Sequence, residues 1–515
     1  MKEESRTKNS IINISTGAIV QIVNKLMAFA VRTVFIKMLN SEYLGVNGLF
    51  TNILSVLSFA ELGIGTAIIF NMYKPVAEND TSKIKSLMYL YKKSYNIIGV
   101  VIFLLGICVI PFMDFIVTDT PNIKENLTLI YILFLANTSL SYFFTYKKSI
   151  ISAHQKEVII NKIDTIFYFI KSIVEIIFLV LFRNYIIYLV IGILATLTEN
   201  IVLAIKANKM YPYLKDKDVK KLDKSEKKGI IQNVKSLVVY KFGGVVMEGT
   251  DNILISSMIN VVTVGYCSNY TLIINAVRTI FTSALNGLTA SVGNLNAVGS
   301  KDRKEEIFYL ITFANYLLYS FCAVAFIVLL NPFIKMWLGS EYVLEIGVSI
   351  ALAASTFVNG LRMPAYTYRV TMGLFSKGKS APYIGAISNI IFSIILCNWI
   401  GVAGIFVGTC LAQLVSYSWI DPYLIHKYEF KTNFNKYFKK LIVYILIFAI
   451  DAAITMFICS FTADGILGFI LKCIVVLIVP NLINLALLHK TEEFKDLKER
   501  LIEPILNKLK KQPQE

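Results

Sequence analysis

Lys241, Glu248 and Asp251 fall inside one otherwise apolar run, VVYKFGGVVMEGTDNILIS, from Val238 to Ser256. Residues three and four apart share a helix face. Lys241, Gly244, Glu248 and Asp251 or Asn252 therefore form a polar stripe on a helix whose other sides are apolar. The spacing recurs in five more apolar runs: Gln21, Lys25, Ala28 and Arg32; Asn47, Thr51, Ser55, Ser58 and Glu61; Asp164, Lys171 and Glu175; Asn275, Arg278, Thr282 and Asn286; Asn359, Arg362, Tyr366 and Arg369. Cationic side chains bind anions, and the planar guanidinium suits forked contact with phosphate.

Other chemistry is poorly represented. The seven cysteines lie in apolar segments without CxxC spacing and read as small buried hydrophobes. His154, His426 and His489 fall at helix ends with no second ligand nearby, so no metal site, cofactor or catalytic residue is expected. GLFSKGKS (373–380) matches the phosphate-loop pattern GxxxxGK[ST]. That pattern binds nucleotide only between a strand and a helix of an α/β unit. Here it lies in a connection of about a dozen residues, where Lys377 and Lys379 read as topology signals, able also to meet lipid phosphates.

The elements that carry these stripes follow from composition. Of 515 residues, 56% are hydrophobic and 17% charged, against about a quarter charged in a soluble protein. A hydrocarbon core needs about 20 apolar residues per helix. Fourteen such spans are predicted, near 12–39, 44–72, 91–113, 124–146, 158–181, 184–206, 231–258, 261–289, 307–331, 343–368, 381–399, 402–425, 438–461 and 465–489. The polar start Met1–Ser10 leads into a first span too long for a signal-peptide core, so no cleavable signal is expected. The fold class is an all-α polytopic membrane protein.

The net charge of +17 sorts by side. Alternate connections hold nearly all the lysines, including the run from Lys206 to Lys235, while the other set has only Lys37, Lys124, Arg183 and Lys335. By the positive-inside rule both termini are cytoplasmic, and the charge gives no case for nucleic acid. The one long polar linker suggests an N-lobe over 1–206, a linker over 207–230 and a C-lobe over 231–425. Spans thirteen and fourteen (426–490) and a basic amphipathic tail (491–515) on the inner leaflet complete the chain. A shift of 220 residues lays Asn40, Gly45 and Thr51 on Asn260, Gly265 and Thr271. Six spans per copy make this a parallel repeat, whose binding site is expected between the lobes near the midplane.

An ionisable group at the bilayer centre costs about 2.5–3.5 kcal/mol on insertion scales. The stripes must therefore face inward, pairing with each other or lining a wet cavity. Pairing explains Lys241 with Glu248, or Lys171 with Glu175. It does not explain Lys25, Arg32, Arg278 and Arg362, which have no acid beside them on their own helices. A cationic chamber drawn from both lobes is the reading that covers them.

The stretch NGLFTNILSVLSFAELGIGTAIIFNMYKPVAENDTSKIKSLMYLYKKSYNIIG (47–99) resembles Wzx-type polysaccharide flippases of the multidrug/oligosaccharidyl-lipid/polysaccharide exporter superfamily. The resemblance implies twelve core spans in two lobes plus a terminal pair, and alternating access around a cationic cavity. It implies transfer of undecaprenyl-diphosphate-linked oligosaccharide across the bacterial cytoplasmic membrane, with membrane lipids and polysaccharide assembly proteins as partners. Lys25, Arg32, Arg278 and Arg362, then Lys171 and Lys241, would meet diphosphate or acidic sugars. Glu61, Glu248 and Asp251 would gate or couple to protons or sodium. The terminal pair would hold the polyprenyl tail, with Asp451 and Lys472 paired to each other. A proton- or sodium-coupled drug antiporter and a lipid II flippase are the alternatives. Against them stand a first span with Lys25 and Arg32 in place of the antiporters' acid, and without the arginine–aspartate pair associated with lipid II flippases. Short outer loops leave no room for a polymerase or ligase active site.

Overall fold

A computed structural model describes residues 21, 23–61, 64–117, 121–154, 156–216, 219–220, 222–298, 300–372, 374, 377–378 and 380–499. Among the described residues every regular element is helical and there is no strand. Nine helices there are long and apolar enough to cross a membrane. Apolar side chains point outward along them, for example Leu181, Trp399, Phe457 and Leu467. Such a surface belongs in hydrocarbon, and the chain is a multi-pass membrane protein.

Contacts divide the chain into two compact units, Met1–Ser268 and Asn269–Glu515. In the first, α1 covers 23–38, α2 Ser41–Leu57 and α3 Ile64–Ala77. They are followed by α4 (Thr81–Val109), α5 (Leu127–Thr145), the short α6 (Lys148–Ala153), α7 (Glu157–Phe182), α8 (Tyr185–Met210) and α9 (Lys224–Met258). Asparagines start three of them. The Oδ1 of Asn40, Asn126 and Asn184 accepts from the backbone N–H of Glu42, Leu129 and Ile187 at 3.0–3.1 Å, satisfying amides that a helix start leaves unbonded.

The predicted second span is not one helix. It stops at a 3-10 turn, Ser58–Glu61, and resumes at Ile64. Tyrosines from two other helices, described below, hold the residue at the end of that turn, and a single-span sequence pattern does not contain them. The polar stretch after α8 is fastened to the end of α4: Lys85 pairs with Asp216 at 3.3 Å, and Ser86 donates to the Lys220 carbonyl at 2.6 Å. Lys83 pairs with Glu226, and that hydrogen bond holds the Glu226 carboxyl below the usual range.

The helix α10 (Val261–Val298) runs from the first unit into the second. There follow α11 (Lys301–Trp337), α12 (Ile346–Thr371), α13 (Ser380–Val415), α14 (Tyr417–Ile425), α15 (Asn435–Ser460), α16 (Ile466–Leu488) and the short α17 (Glu492–Leu497). Within α13 the chain folds back at Ile400–Gly401, where Gly401 takes φ 59°. That is a left-handed value only glycine adopts cheaply, and it divides predicted spans eleven and twelve.

The terminal pair is held by polar contacts as well as packing. Val328 of α11, Cys459 of α15 and Val476 of α16 share a core. Asn484 donates to Asp451 at 2.6 Å and accepts from Tyr316 of α11 at 2.7 Å. This corrects the expected Asp451–Lys472 pair. Lys472 lies near the other end of the hairpin, in electrostatic reach of Cys459 and Asp464.

Candidate functional site

Glu61 sits where α2 gives way to the 3-10 turn, and two tyrosines hold its carboxylate. Tyr95 of α4 donates to Oε1 at 2.6 Å and Tyr142 of α5 donates to Oε2 at 2.8 Å. Tyr91 donates in turn to the Tyr95 hydroxyl at 3.1 Å. Gly65 makes room for them, since a Cβ there would lie 2.6 Å from the Tyr91 hydroxyl and 2.9 Å from that of Tyr95. A carboxylate in a membrane segment needs such donors. The arrangement gives Glu61 a fixed position at a joint between two helices.

A second group collects around Tyr188 of α8, which is in electrostatic contact with Arg32, Glu175 and Tyr168. Arg32 of α1 donates to the Ser268 hydroxyl at 2.7 Å. On α7, Lys171 pairs with Glu175 at 3.6 Å, the within-helix pairing that its spacing allowed. Tyr168 donates to the Asn24 carbonyl at 3.3 Å, binding α7 to α1 beside the half-buried Lys25. Asp164 pairs with Lys148 at 2.6 Å and also faces Glu199 of α8. Asp251 of α9 is buried, within electrostatic reach of Cys267. The side chains of Lys241 and Glu248 lie outside the described residues.

In the second unit, Arg362 of α12 stacks on Tyr417 of α14, its guanidinium carbon 4.1 Å from the ring centroid. Two turns further along α12, Arg369 is fully buried against an equally buried Asp421. Its other terminal nitrogen donates to the carbonyls of Lys377 and Gly378 at 2.9 and 3.2 Å. Those carbonyls belong to the phosphate-loop lookalike. A true phosphate loop turns amide N–H groups on an anion. Here, carbonyls close on a cation. Arg278 is half-buried on α10.

The structure thus brings Arg32, Lys171 and Glu175 into one neighbourhood and Arg362 into another. Sequence reasoning missed Asp421, Tyr417, Tyr188 and the tyrosines around Glu61. Asp421 is the only acid in predicted span twelve and gave the one usable signal.

No protein-family model matches the sequence, and no curated protein matches it. Solved structures do. A lipid II flippase, MurJ, in an inward closed conformation aligns with a TM-score of 0.64 at 16% identity, over 94% of this chain and 99% of its own. An inward-facing multidrug resistance MATE family transporter of the MOP superfamily aligns at 0.60 and 15%, over 78% of this chain and 97% of its own. A mutant of the Vibrio cholerae MATE transporter VcmN aligns at 0.53 and 13%, over 84% and 98%. Identities this low establish architecture: the chain has the fold of MOP-superfamily transporters.

Proposed function

We propose that the protein is a flippase that carries polyprenyl-diphosphate-linked oligosaccharide across a bacterial cytoplasmic membrane by alternating access, with both termini cytoplasmic. The observation that carries this reading is Arg362. It lies within a membrane helix and makes no ion pair or hydrogen bond among the described residues. Its Nε is buried without a partner, and the guanidinium rests on the neutral face of Tyr417. Asp421, within its electrostatic reach, is already paired with Arg369. A guanidinium left in that condition is costly and suits an anionic ligand such as a diphosphate. Arg32, Arg278 and Lys25 are its proposed companions, and Glu61 and Asp251 the proposed coupling or gating carboxylates.

The reach of the comparisons supports a lipid-linked cargo. An alignment over 94% of the chain leaves too few residues over to omit both α15 and α16. That terminal pair is the proposed groove for the polyprenyl tail, and the same extent leaves lipid II open as cargo. A proton- or sodium-coupled drug antiporter is the second reading, favoured by the tyrosine-held Glu61.

The test is Arg362→Ala in the native host, with Arg32→Ala and Arg278→Ala alongside. Lipid-linked oligosaccharide should accumulate on the inner leaflet while surface polysaccharide falls. Normal surface polysaccharide with the variant protein present would remove the proposal. Efflux of a cationic dye abolished by Glu61→Gln would favour the antiporter.

A further inference from the structure

On the lysine-rich face of the first unit, two helix ends bring four polar side chains together. His154 and Lys156 lie in the turn between α6 and α7, and Tyr211 and Tyr213 follow α8. The His154 and Tyr211 rings are 4.2 Å apart, and the Tyr213 ring is 6.1 Å from that of Tyr211. The Lys156 ammonium lies 5.7 Å from the Tyr211 ring centroid.

Their hydrogen-bonding capacity is largely unspent. Tyr211 is 5% exposed, yet its hydroxyl and that of Tyr213 are buried with no partner among the described residues. A buried hydroxyl in that state calls for an explanation, such as a ligand. Burial raises the pKa of both phenols, Tyr213 to about 12, so both remain hydrogen-bond donors. The Nδ1 of His154 is bonded to the Ile150 carbonyl at 2.9 Å, and its other ring nitrogen has no partner among the described residues. Lys156 has no carboxylate within ion-pair distance among them. Two hydroxyl donors, an ammonium and an imidazole nitrogen together suit an anion with several acceptor oxygens.

The second unit repeats the pairing. The Lys377 ammonium lies 3.5 Å from the Tyr428 ring centroid, and that of Lys427 lies 5.6 Å from the same ring. Neither lysine pairs with an acid among the described residues. Lys377 follows α12 as Lys156 follows α5 and α6, and Tyr428 follows α14 as Tyr211 follows α8. The 220-residue shift carries 156 to 376 and 211 to 431, close to both partners. Two separately built units share a lysine of the fourth connection of each half, set over a tyrosine just past the sixth span. All these residues sit where membrane helices end, at the level of lipid headgroups, where basic side chains attract anionic lipids.

We propose that His154, Lys156, Tyr211 and Tyr213 bind the phosphate of an anionic membrane lipid, and that Lys377, Lys427 and Tyr428 form a repeat-related second copy. The site is independent of the cargo proposed above and rests only on the lysine-rich face being the inner one.

The experiment uses the purified full-length chain in mixed micelles with equal phosphatidylglycerol and phosphatidylcholine, with retained lipid counted by native mass spectrometry. The wild type should retain phosphatidylglycerol in preference. Tyr211→Phe with Tyr213→Phe removes only hydroxyls that have no hydrogen-bond partner among the described residues. Lys156→Gln changes only an exposed side chain. Each variant should weaken retention roughly tenfold, as expected for losing a hydrogen bond to a charged group. The melting temperature in lipid-free detergent should not fall. Lys377→Gln with Lys427→Gln should remove the remaining preference. Equal retention of the two lipids, or unchanged retention in the first-unit variants, would overturn the proposal. So would inorganic phosphate stabilising the lipid-free protein as strongly as phosphatidylglycerol does, because the ligand would then be free phosphate.

Discussion

Gly45 and Gly265 lie 220 residues apart in the sequence, and their backbones meet. A Cβ on Gly45 would run into the Val261 carbonyl oxygen; one on Gly265 would lie 2.6 Å from that of Ser41 and 2.9 Å from the Gly45 nitrogen. The helices that cross here start alike. Asn40 caps α2, and Asn260 accepts from the Thr263 N–H at 2.8 Å at the start of α10.

Alanine at either glycine should therefore be expensive. The atoms in the way are backbone and cannot swing aside, so Gly45→Ala and Gly265→Ala should each cost about 1–3 kcal/mol, read as a lowered melting temperature in detergent. Gly229→Ala is the control. Nothing lies within 4 Å of its added carbon, and alanine there should be neutral or stabilise by up to about 1 kcal/mol.

The joint at Glu61 can be dissected by its donors. Tyr95→Phe and Tyr142→Phe should each cost about 1.5–3 kcal/mol, as for hydrogen bonds to a charged group. Because the two share one carboxylate, the double variant should depart from additivity. Thermal melts of the three proteins check this, and strict additivity would show that the two hydrogen bonds act independently of each other.

Arg369 and Asp421 should behave as a unit. Arg369→Met or Asp421→Leu alone leaves a charge buried without its partner and should cost about 3–5 kcal/mol. The double replacement should recover much of that loss. Expression level and melting temperature of the three variants give the answer.

Nucleotide should not bind at residues 373–380. Millimolar magnesium-ATP should leave the melting temperature unchanged, in the wild type and in Lys377→Ala alike. In the described part of the loop the carbonyls of Lys377 and Gly378 close on Arg369, the opposite polarity to an amide cradle for phosphate.

Helix positions were largely readable from the residues because lipid imposes length and apolarity on every span. Lys171–Glu175 was readable as a pair, because one helix fixes their spacing. Partners across helices were not. The tyrosines that hold Glu61 come from positions 34 and 81 residues away, and nothing in α2 announces the break they accompany. Arg369 reads from the sequence only as the last member of a polar stripe, whereas the structure buries it wholly against Asp421. Asp451 was matched to the wrong residue because periodicity reports a face and not a depth along the hairpin.

The buried pair of Arg369 and Asp421 also bears on biogenesis. Synthesis runs from the amino terminus, so the arginine is made 52 residues ahead of the aspartate that neutralises it. During that interval two further hydrophobic segments must emerge while the cation waits unmatched at the membrane edge. The Arg369–Asp421 pair therefore cannot close until α14 has been made.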